Sequence, residues 1–314
     1  EKIVLALFQK VRFRSNTNYE RERKKKLSLF LFLFLLSCFA SETVFSQTVT
    51  TFTDVTGTAS VGNSARGMGA AWGDYNNDGL LDIYVSNYKD KNILYKNHGD
   101  GAFSDVTDTA KVGNTDASTD IAWGDYDNDG FLDLFLVNDV GPGYGAKKVL
   151  YKNNGNDTFT NVAKDAGIEN ISFGMCAALA DYNNDGYLDV YFTNNAHVMI
   201  CDGQPSKLFR NKADGTFEDV TDASGVGDPG NGMGIAWSDY DNDGDQDLYV
   251  LNFDNFDFNP PENTPSILYR NNGDETFTEV TGSAGVENTL GGFGVAWGDY
   301  NNDGYMDLFV ANLK

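Results

Sequence analysis

The strongest constraint on this 314-residue chain is internal repetition. The nine-residue pattern Asp-x-[Asp/Asn]-x-Asp-Gly-x-x-Asp occurs five times, starting at Asp74, Asp125, Asp181, Asp239 and Asp299, at intervals of 51, 56, 58 and 60 residues. A period of this size is the signature of a stacked-repeat architecture. Each copy sits in a longer frame. A small-residue segment such as Gly67-Met-Gly-Ala-Ala-Trp72-Gly precedes it, and an apolar run such as Ile83-Tyr-Val85, ending in Asn87, follows. Then come Ile93-Leu-Tyr-Lys-Asn97, a Gly-containing turn and Phe103-Ser-Asp-Val-Thr107, whose last strand recurs from Phe159, Phe217 and Phe277.

The runs between turns are too short for helices and are rich in Val, Ile, Phe, Tyr and Thr. Asn-Asp-Gly and Asn-Asn-Gly supply the turn chemistry that separates them. Each repeat therefore reads as four antiparallel strands, A to D, with B apolar on both faces. Units of this kind stacked radially make an all-β fold, a β-propeller with five repeat units present. A two-sheet sandwich does not account for five copies of one frame. The frame also sets the register. Phe52-Thr-Asp-Val-Thr56 is expected to be a D-type strand, and the fifth unit stops after its B strand, so the reading is of a truncated ring.

The A–B loops carry the chemistry. Calcium takes six to eight oxygen ligands, from carboxylates and carbonyls. Side chains at loop positions 1, 3, 5 and 9 and the backbone carbonyl at position 7 give Asp74, Asn76, Asp78, Leu80 and Asp82 in the first loop. The second and third loops give Asp125, Asp127, Asp129, Phe131 and Asp133, then Asp181, Asn183, Asp185, Tyr187 and Asp189. The fourth and fifth give Asp239, Asp241, Asp243, Asp245 and Asp247, then Asp299, Asn301, Asp303, Tyr305 and Asp307. Gly at position 6 permits the sharp turn. The spacing resembles the start of an EF-hand, but position 12 is Val85 rather than Glu, and a strand follows instead of a helix. Clustered carboxylates repel, and a divalent cation removes that cost. Magnesium fits less well, because it demands a smaller, water-rich octahedron. Five Ca2+ sites are expected, with affinities of about 10⁻⁴–10⁻³ M, typical of extracellular modules. The four-carboxylate second and fourth loops are expected to bind more tightly than the others.

Charge narrows the partners. The chain carries 46 acidic and 23 basic residues, and nine of the basic ones fall within residues 1–46. The remainder is strongly acidic, which excludes a nucleic-acid backbone binder and disfavours anionic lipid. Residues 23–40, RKKKLSLFLFLFLLSCFA, have the layout of a secretory signal peptide, with cleavage after Ala40 or Ser46. Residues 1–22 then read as an upstream extension, and 47–314 as the propeller. Leu35-Leu36-Ser37-Cys38 loosely resembles a lipoprotein box, so a lipid anchor at Cys38 is the alternative.

The blade as a whole resembles the FG-GAP/VCBS repeat, the unit of the integrin α-subunit propeller. The frame with Trp123-Gly-Asp-Tyr-Asp-Asn-Asp-Gly130, Leu150-Tyr-Lys-Asn-Asn-Gly155 and Phe159-Thr-Asn-Val162 is similar to the cartilage acidic protein family and its bacterial relatives. That resemblance covers residues 52–314. It implies a seven-bladed ring, calcium in the A–B loops, and extracellular adhesion or recognition. The Phe-Gly half of the motif is loosely kept, at Phe173-Gly174 and Phe293-Gly294, with Met at Met68 and Met233 and Thr119-Asp120 in the second repeat.

Little points to catalysis. Of the two histidines, His98 falls in a C–D turn and His197 in the third B–C loop. No Gly-x-Ser-x-Gly motif or phosphate-cradling loop occurs. The expectation is a secreted, non-catalytic, monomeric adhesion or recognition module for protein or glycan. The alternative is the scaffold of an exported polysaccharide-processing enzyme, because paired carboxylates are abundant. Trp72, Trp123, Trp237 and Trp297 share one slot that Leu179 fills in the third repeat, so the slot reads as core rather than as a sugar platform. A–B and C–D loops should share one face. The irregular B–C insertions Asp139–Lys148, Ala196–Ser206 and Phe253–Ser266, with Tyr144, Phe253, Phe256 and Phe258, should share the opposite, recognition face. Cys176 and Cys201 fall on that second face of the third repeat, where a disulfide and two free thiols are equally open readings.

Overall fold

The computed structural model describes residues 52–139, 147–169, 174–194, 205–253 and 264–312. The chain divides into two units, Glu1–Thr53 and Asp54–Lys314, and the fold described here is that of the second. The segment expected to be a signal peptide, with Cys38, residues 140–146, 196–204 and 254–263 of the B–C insertions, His197 and Cys201 lie outside the described residues, and the Cys176–Cys201 pairing with them.

The described fold is all-β, in blade-like sheets. Blade 1 is built of β1 (Gly67–Gly73), β2 (Asp82–Asn87), β3 (Ile93–Asn97) and β4 (Phe103–Asp105). Blade 2 holds β5 (Ala117–Gly124), β6 (Asp133–Asp139), β7 (Val149–Asn153) and β8 (Phe159–Asn161). Blade 3 holds β9 (Gly174–Ala180), β10 (Asp189–Asn194), β11 (Lys207–Asn211) and β12 (Phe217–Asp219). Blade 4 holds β13 (Gly232–Ser238), β14 (Asp247–Asn252), β15 (Ile267–Asn271) and β16 (Phe277–Glu279), and blade 5 has β17 (Gly292–Gly298) and β18 (Asp307–Asn312). Four sheets are antiparallel meanders of four strands in sequence order, and the fifth has two strands. The first strands of successive blades, β1, β5, β9, β13 and β17, lie side by side. This arrangement is consistent with a β-propeller.

The core lies between blades rather than inside them. Alternation along β6 shows why. Leu134 and Leu136 join Tyr75, Tyr84 and Leu94 of blade 1 in one cluster, whereas Phe135 and Val137 join Val190, Phe192 and Phe209 of blade 3 in another. A strand has period-2 faces, so an apolar run with both faces covered must sit between two neighbours. The tryptophan slot packs against the preceding blade in blades 2, 4 and 5, whereas Trp72 of blade 1, expected to be core, is 59% exposed. Trp123 meets Tyr84 of blade 1 edge-on at 6.2 Å, Trp237 meets Tyr191 of blade 3 at 6.4 Å, and Trp297 meets Tyr249 of blade 4 at 6.3 Å.

Three readings of the sequence need correction. Residues 52–55 are not a strand, and Phe52 is exposed. Each D strand elsewhere pairs with a C strand of its own sheet, and no such partner for Phe52–Asp54 exists among the described residues. The repeat also contains a helical turn that the strand pattern concealed, at Thr56–Ala59, Thr107–Ala110, Thr221–Ser224 and Thr281–Ala284. Its origin is local. Asp105 Oδ1 accepts from the backbone N–H and the hydroxyl of Thr107, and Thr107 Oγ1 accepts from Leu94 N–H at 2.9 Å. The turn thus starts on an Asp-x-Thr lock, repeated at Asp219 and Thr221. Finally, Gly174 does not hold the place expected for the Gly of a Phe-Gly pair, Phe173 lying outside the described residues. Gly174 pairs with Asn194 as Gly292 pairs with Asn312, so Met175-Cys176 occupies the slot of Phe293-Gly294, beside a bulge that recurs in every blade.

Candidate metal centre

The five A–B loops share one backbone. Position 4 takes a left-handed conformation at Asn77, Asn128, Asn184, Asn242 and Asn302 (φ 56–60°), and the Gly at position 6 has φ between 84° and 97°. Asn tolerates the first of these and Gly the second without steric cost. The carboxylate at position 1 wraps the turn. Asp125 accepts from Asp129 N–H at 3.0 Å and Gly130 N–H at 2.8 Å. Asp74, Asp181, Asp239 and Asp299 make the same two bonds. Position 5 accepts from the N–H of position 7, as Asp78 does from Leu80, Asp129 from Phe131, Asp185 from Tyr187, Asp243 from Asp245 and Asp303 from Tyr305.

Position 9 is the buried anchor. Asp82, Asp133, Asp189 and Asp247 are almost wholly inaccessible, and one oxygen of each accepts from the N–H of the Asn that ends strand C, at 2.7–2.8 Å. Burial, opposed by these hydrogen bonds and reinforced by neighbouring loop carboxylates, pushes the Asp82 carboxyl up to about 6 and those of Asp133, Asp189 and Asp247 up to about 7.

Among the described residues, two loops bring three carboxylates within 4.8 Å of one another: Asp125, Asp127 and Asp133, and Asp239, Asp241 and Asp247. These are the two loops with an acid at position 3. Asp129 and Asp243, grouped with them by spacing, stand outside the triads, held by their bonds to position 7. In the other loops Asn76, Asn183 and Asn301 use Oδ1 to accept from the N–H of position 5. The donor set fits a hard divalent cation. Asp82 Oδ2 and Asp127 Oδ1 are buried with no hydrogen-bond partner of ordinary geometry, and a buried unpaired carboxylate oxygen is costly unless a cation meets it. Such a cation would be held by the carboxylates at positions 1, 3 and 9.

Two features were missed by sequence reasoning. The Asn that ends each C strand reaches across the blade boundary. Asn153 Nδ2 donates to Tyr75 O, Asn211 Nδ2 to Tyr126 O and Asn271 Nδ2 to Tyr182 O, each at 2.7 Å. Position 4 chains the loops in the opposite sense, each Asn donating to the following blade: Asn77 Nδ2 to Gly130 O and Asn128 Nδ2 to Gly186 O at 2.8 Å, Asn184 Nδ2 to Asp245 Oδ1 at 2.8 Å, and Asn242 Nδ2 to Gly304 O at 3.0 Å. The loops therefore form one continuous row. The second missed feature is the basic residue before that Asn. Lys152 bonds Asp127 and Asp129. Its signal was a basic residue recurring at one frame position in an acidic domain. C–D turns do share the loop face: a side chain at Gly99 would meet Leu80, one at Gly155 would meet Phe131, and one at Gly273 would meet Asp245. His98 lies there, its Nε2 3.0 Å from Ser104 Oγ and exposed.

The FG-GAP-like repeat family matches residues 74–136, 138–192, 197–250 and 259–310. The chain belongs to the FG-GAP repeat family. It is similar to cartilage acidic protein 1 of Mus musculus, 25% identical over 276 residues, which is 82% of this chain and 40% of that protein. The Xenopus tropicalis protein of that name is 29% identical over 192 residues, 59% of this chain and 28% of the relative. The FG-GAP chain thus spans well under half the length of these curated relatives. Among solved structures, the V. cholerae biofilm matrix protein Bap1 aligns over 78% of this chain and 34% of its own, at 14% identity and a TM-score of 0.42. No helix among the described residues is long and apolar enough to cross a membrane.

Proposed function

We propose that this FG-GAP chain is a secreted, calcium-stabilised β-propeller that serves as a non-catalytic adhesion or recognition module. The observation that carries the reading is the row of A–B loops. They have one backbone geometry, buried position-9 carboxylates in the first four, two clustered carboxylate triads and orphaned oxygens at Asp82 and Asp127. Calcium is the cation this oxygen-only set suits best. Ion binding would tie each loop together and, through the Asn77, Asn128 and Asn242 links, stiffen the row. Side-by-side first strands support a ring, which we take to have seven blades in the whole protein. A rigid scaffold leaves the opposite face, where the B–C insertions begin and end, to bind an extracellular protein or glycan.

Thermal unfolding of the chain in calcium, in magnesium and in chelator tests the metal reading. A calcium-specific rise in midpoint is expected, because a ligand that binds only the folded state stabilises it. Equal midpoints in all three would sink it. Binding to immobilised matrix proteins and glycans, retained in calcium and lost in chelator, tests the recognition role. Binding to none in either buffer would count against it.

A further inference from the structure

Strand C carries a basic residue at the same place in four blades: Lys96, Lys152, Arg210 and Arg270. Its direction differs from blade to blade, and one position in the C–D turn of the next blade accounts for the difference. Ahead of Lys96 that position is Asp157, and Lys96 Nζ lies 3.7 Å from it and 3.9 Å from Asp78 of its own loop. Ahead of Arg210 it is Glu275, which takes Arg210 Nη1 at 2.6 Å while Glu218 takes Nη2 at 2.9 Å. Ahead of Lys152 it is Gly215, which has no acid to offer. Lys152 instead turns into its own loop, where Nζ bonds Asp127 and, at 3.1 Å, Asp129. In blade 4 no ion pair among the described residues joins Arg270 to a loop carboxylate, and its charge is the weakest of the influences on Asp241.

We propose that Lys152 is a tethered counter-cation of the second loop, holding Asp127 and Asp129 together without a metal and competing with calcium for them. This rests on the calcium reading above and goes beyond it by ranking the sites. The second and fourth loops have the same four carboxylates, but the second contains its own ammonium, so the fourth is the tighter site. An ammonium bonded to two loop carboxylates must be displaced or neutralised electrostatically before a divalent ion gains their full charge. The C–D turn of the next blade therefore sets the affinity of a loop it does not belong to.

Calorimetric titration of the full chain with calcium tests this in two variants. Lys152→Gln removes the ammonium. Gly215→Asp supplies the missing acid and should draw Lys152 away as Asp157 draws Lys96. The turn accepts that change: Asp157 and Glu275 occupy the same position at φ 61° and 67°, Gly215 has φ 82°, and a Cβ at Gly215 would meet nothing within 4 Å. Each variant is expected to tighten one calcium site roughly tenfold. In chelator, Lys152→Gln should melt below the parent, because Asp127 and Asp129 then repel unscreened. If the parent binds calcium and neither variant binds it more tightly, Lys152 is not a competitor, and the calcium reading survives alone. If no form binds calcium, the calcium reading fails and this proposal with it. Gly215→Asp leaves the lysine itself unsubstituted, so a folding failure of Lys152→Gln leaves the competition test intact.

Discussion

Blades 2 and 5 use the same frame in different surroundings. Blade 2 lies between neighbours, and its Tyr126 and Phe135 are 3% and 0% exposed. Their counterparts in blade 5, Tyr300 and Phe309, are 81% and 69% exposed, and the surface around them, with Trp297 and Leu308, opens as a cavity of about 450 Å³. Local backbone is the same in both. Asp299 and Asp125 wrap their loops with the same pair of hydrogen bonds, and β17 pairs with β18 in the register of β5 with β6. The repeat thus specifies its turn and hairpin by itself, but its core only with a neighbour. That is the behaviour of a quasi-one-dimensional array, in which stability resides largely in the interfaces between units.

The largest expected effect follows from that contrast. Phe135→Ala should lower unfolding free energy by about 3–5 kcal/mol, the usual cost of emptying a buried phenylalanine site. Phe309→Ala, at the equivalent strand position, should cost less than about 1 kcal/mol, because little is buried there to lose. Denaturant unfolding of the two variants would measure both. Similar losses would break the comparison and place the core within blades.

Buried carboxylates sharpen it next. Asp133, Asp189 and Asp247 are pushed up to about 7, well above the ordinary aspartate value of 3.8, chiefly by burial. In this window the folded state binds protons that the unfolded chain has released. The contribution of these three groups to the stability of the metal-free chain is therefore fully present below about pH 4 and is lost as pH rises towards 7, by up to about 1.4 kcal/mol per pH unit per group. Midpoints in chelator should drop between pH 5 and pH 8. Calcium should flatten the profile by favouring the ionised form. A profile in chelator that rises with pH would contradict the burial of position 9.

A smaller effect concerns the bridge across blades. Asn211→Ala removes the bonds to Tyr126 O and Leu188 O and leaves two carbonyls short of a donor. A loss of about 2 kcal/mol is expected in the same unfolding experiment. A loss below about 0.5 kcal/mol would mean that the Asn211 bridge adds little to the joining of blades 2 and 3.

What was legible in the sequence is what a single repeat determines. Loop positions 1, 5, 6 and 9, the strand pattern and the tryptophan slot all follow from local spacing and turn chemistry. What was not legible depends on partners far along the chain. Asn153 looks like any strand-ending Asn, yet its donor reaches Tyr75, 78 residues earlier. Lys152 looks like Lys96, and only the acid or glycine of the following blade distinguishes them. Phe52-Thr-Asp has the composition of a D strand but no C strand to pair with among the described residues. The helical turn after each D strand was hidden because Val-Thr reads equally well as strand, and only the hydroxyl contacts of Thr107 and Thr221 show otherwise.

The finest test isolates the link between loops. Asn128 and Asn302 both sit at position 4 with φ near 56–59°, and an Ala substitution strains both backbones alike. They differ in what lies beyond. Asn128 Nδ2 donates to Gly186 O of the next loop at 2.8 Å, whereas no loop follows that of Asn302 among the described residues. The difference between Asn128→Ala and Asn302→Ala in unfolding free energy therefore measures one inter-loop hydrogen bond, expected at about 0.5–1 kcal/mol for an exposed neutral pair. Calcium should enlarge it if an ordered second loop presents its partner better. Equal costs, with and without calcium, would reduce the row of loops to five independent turns.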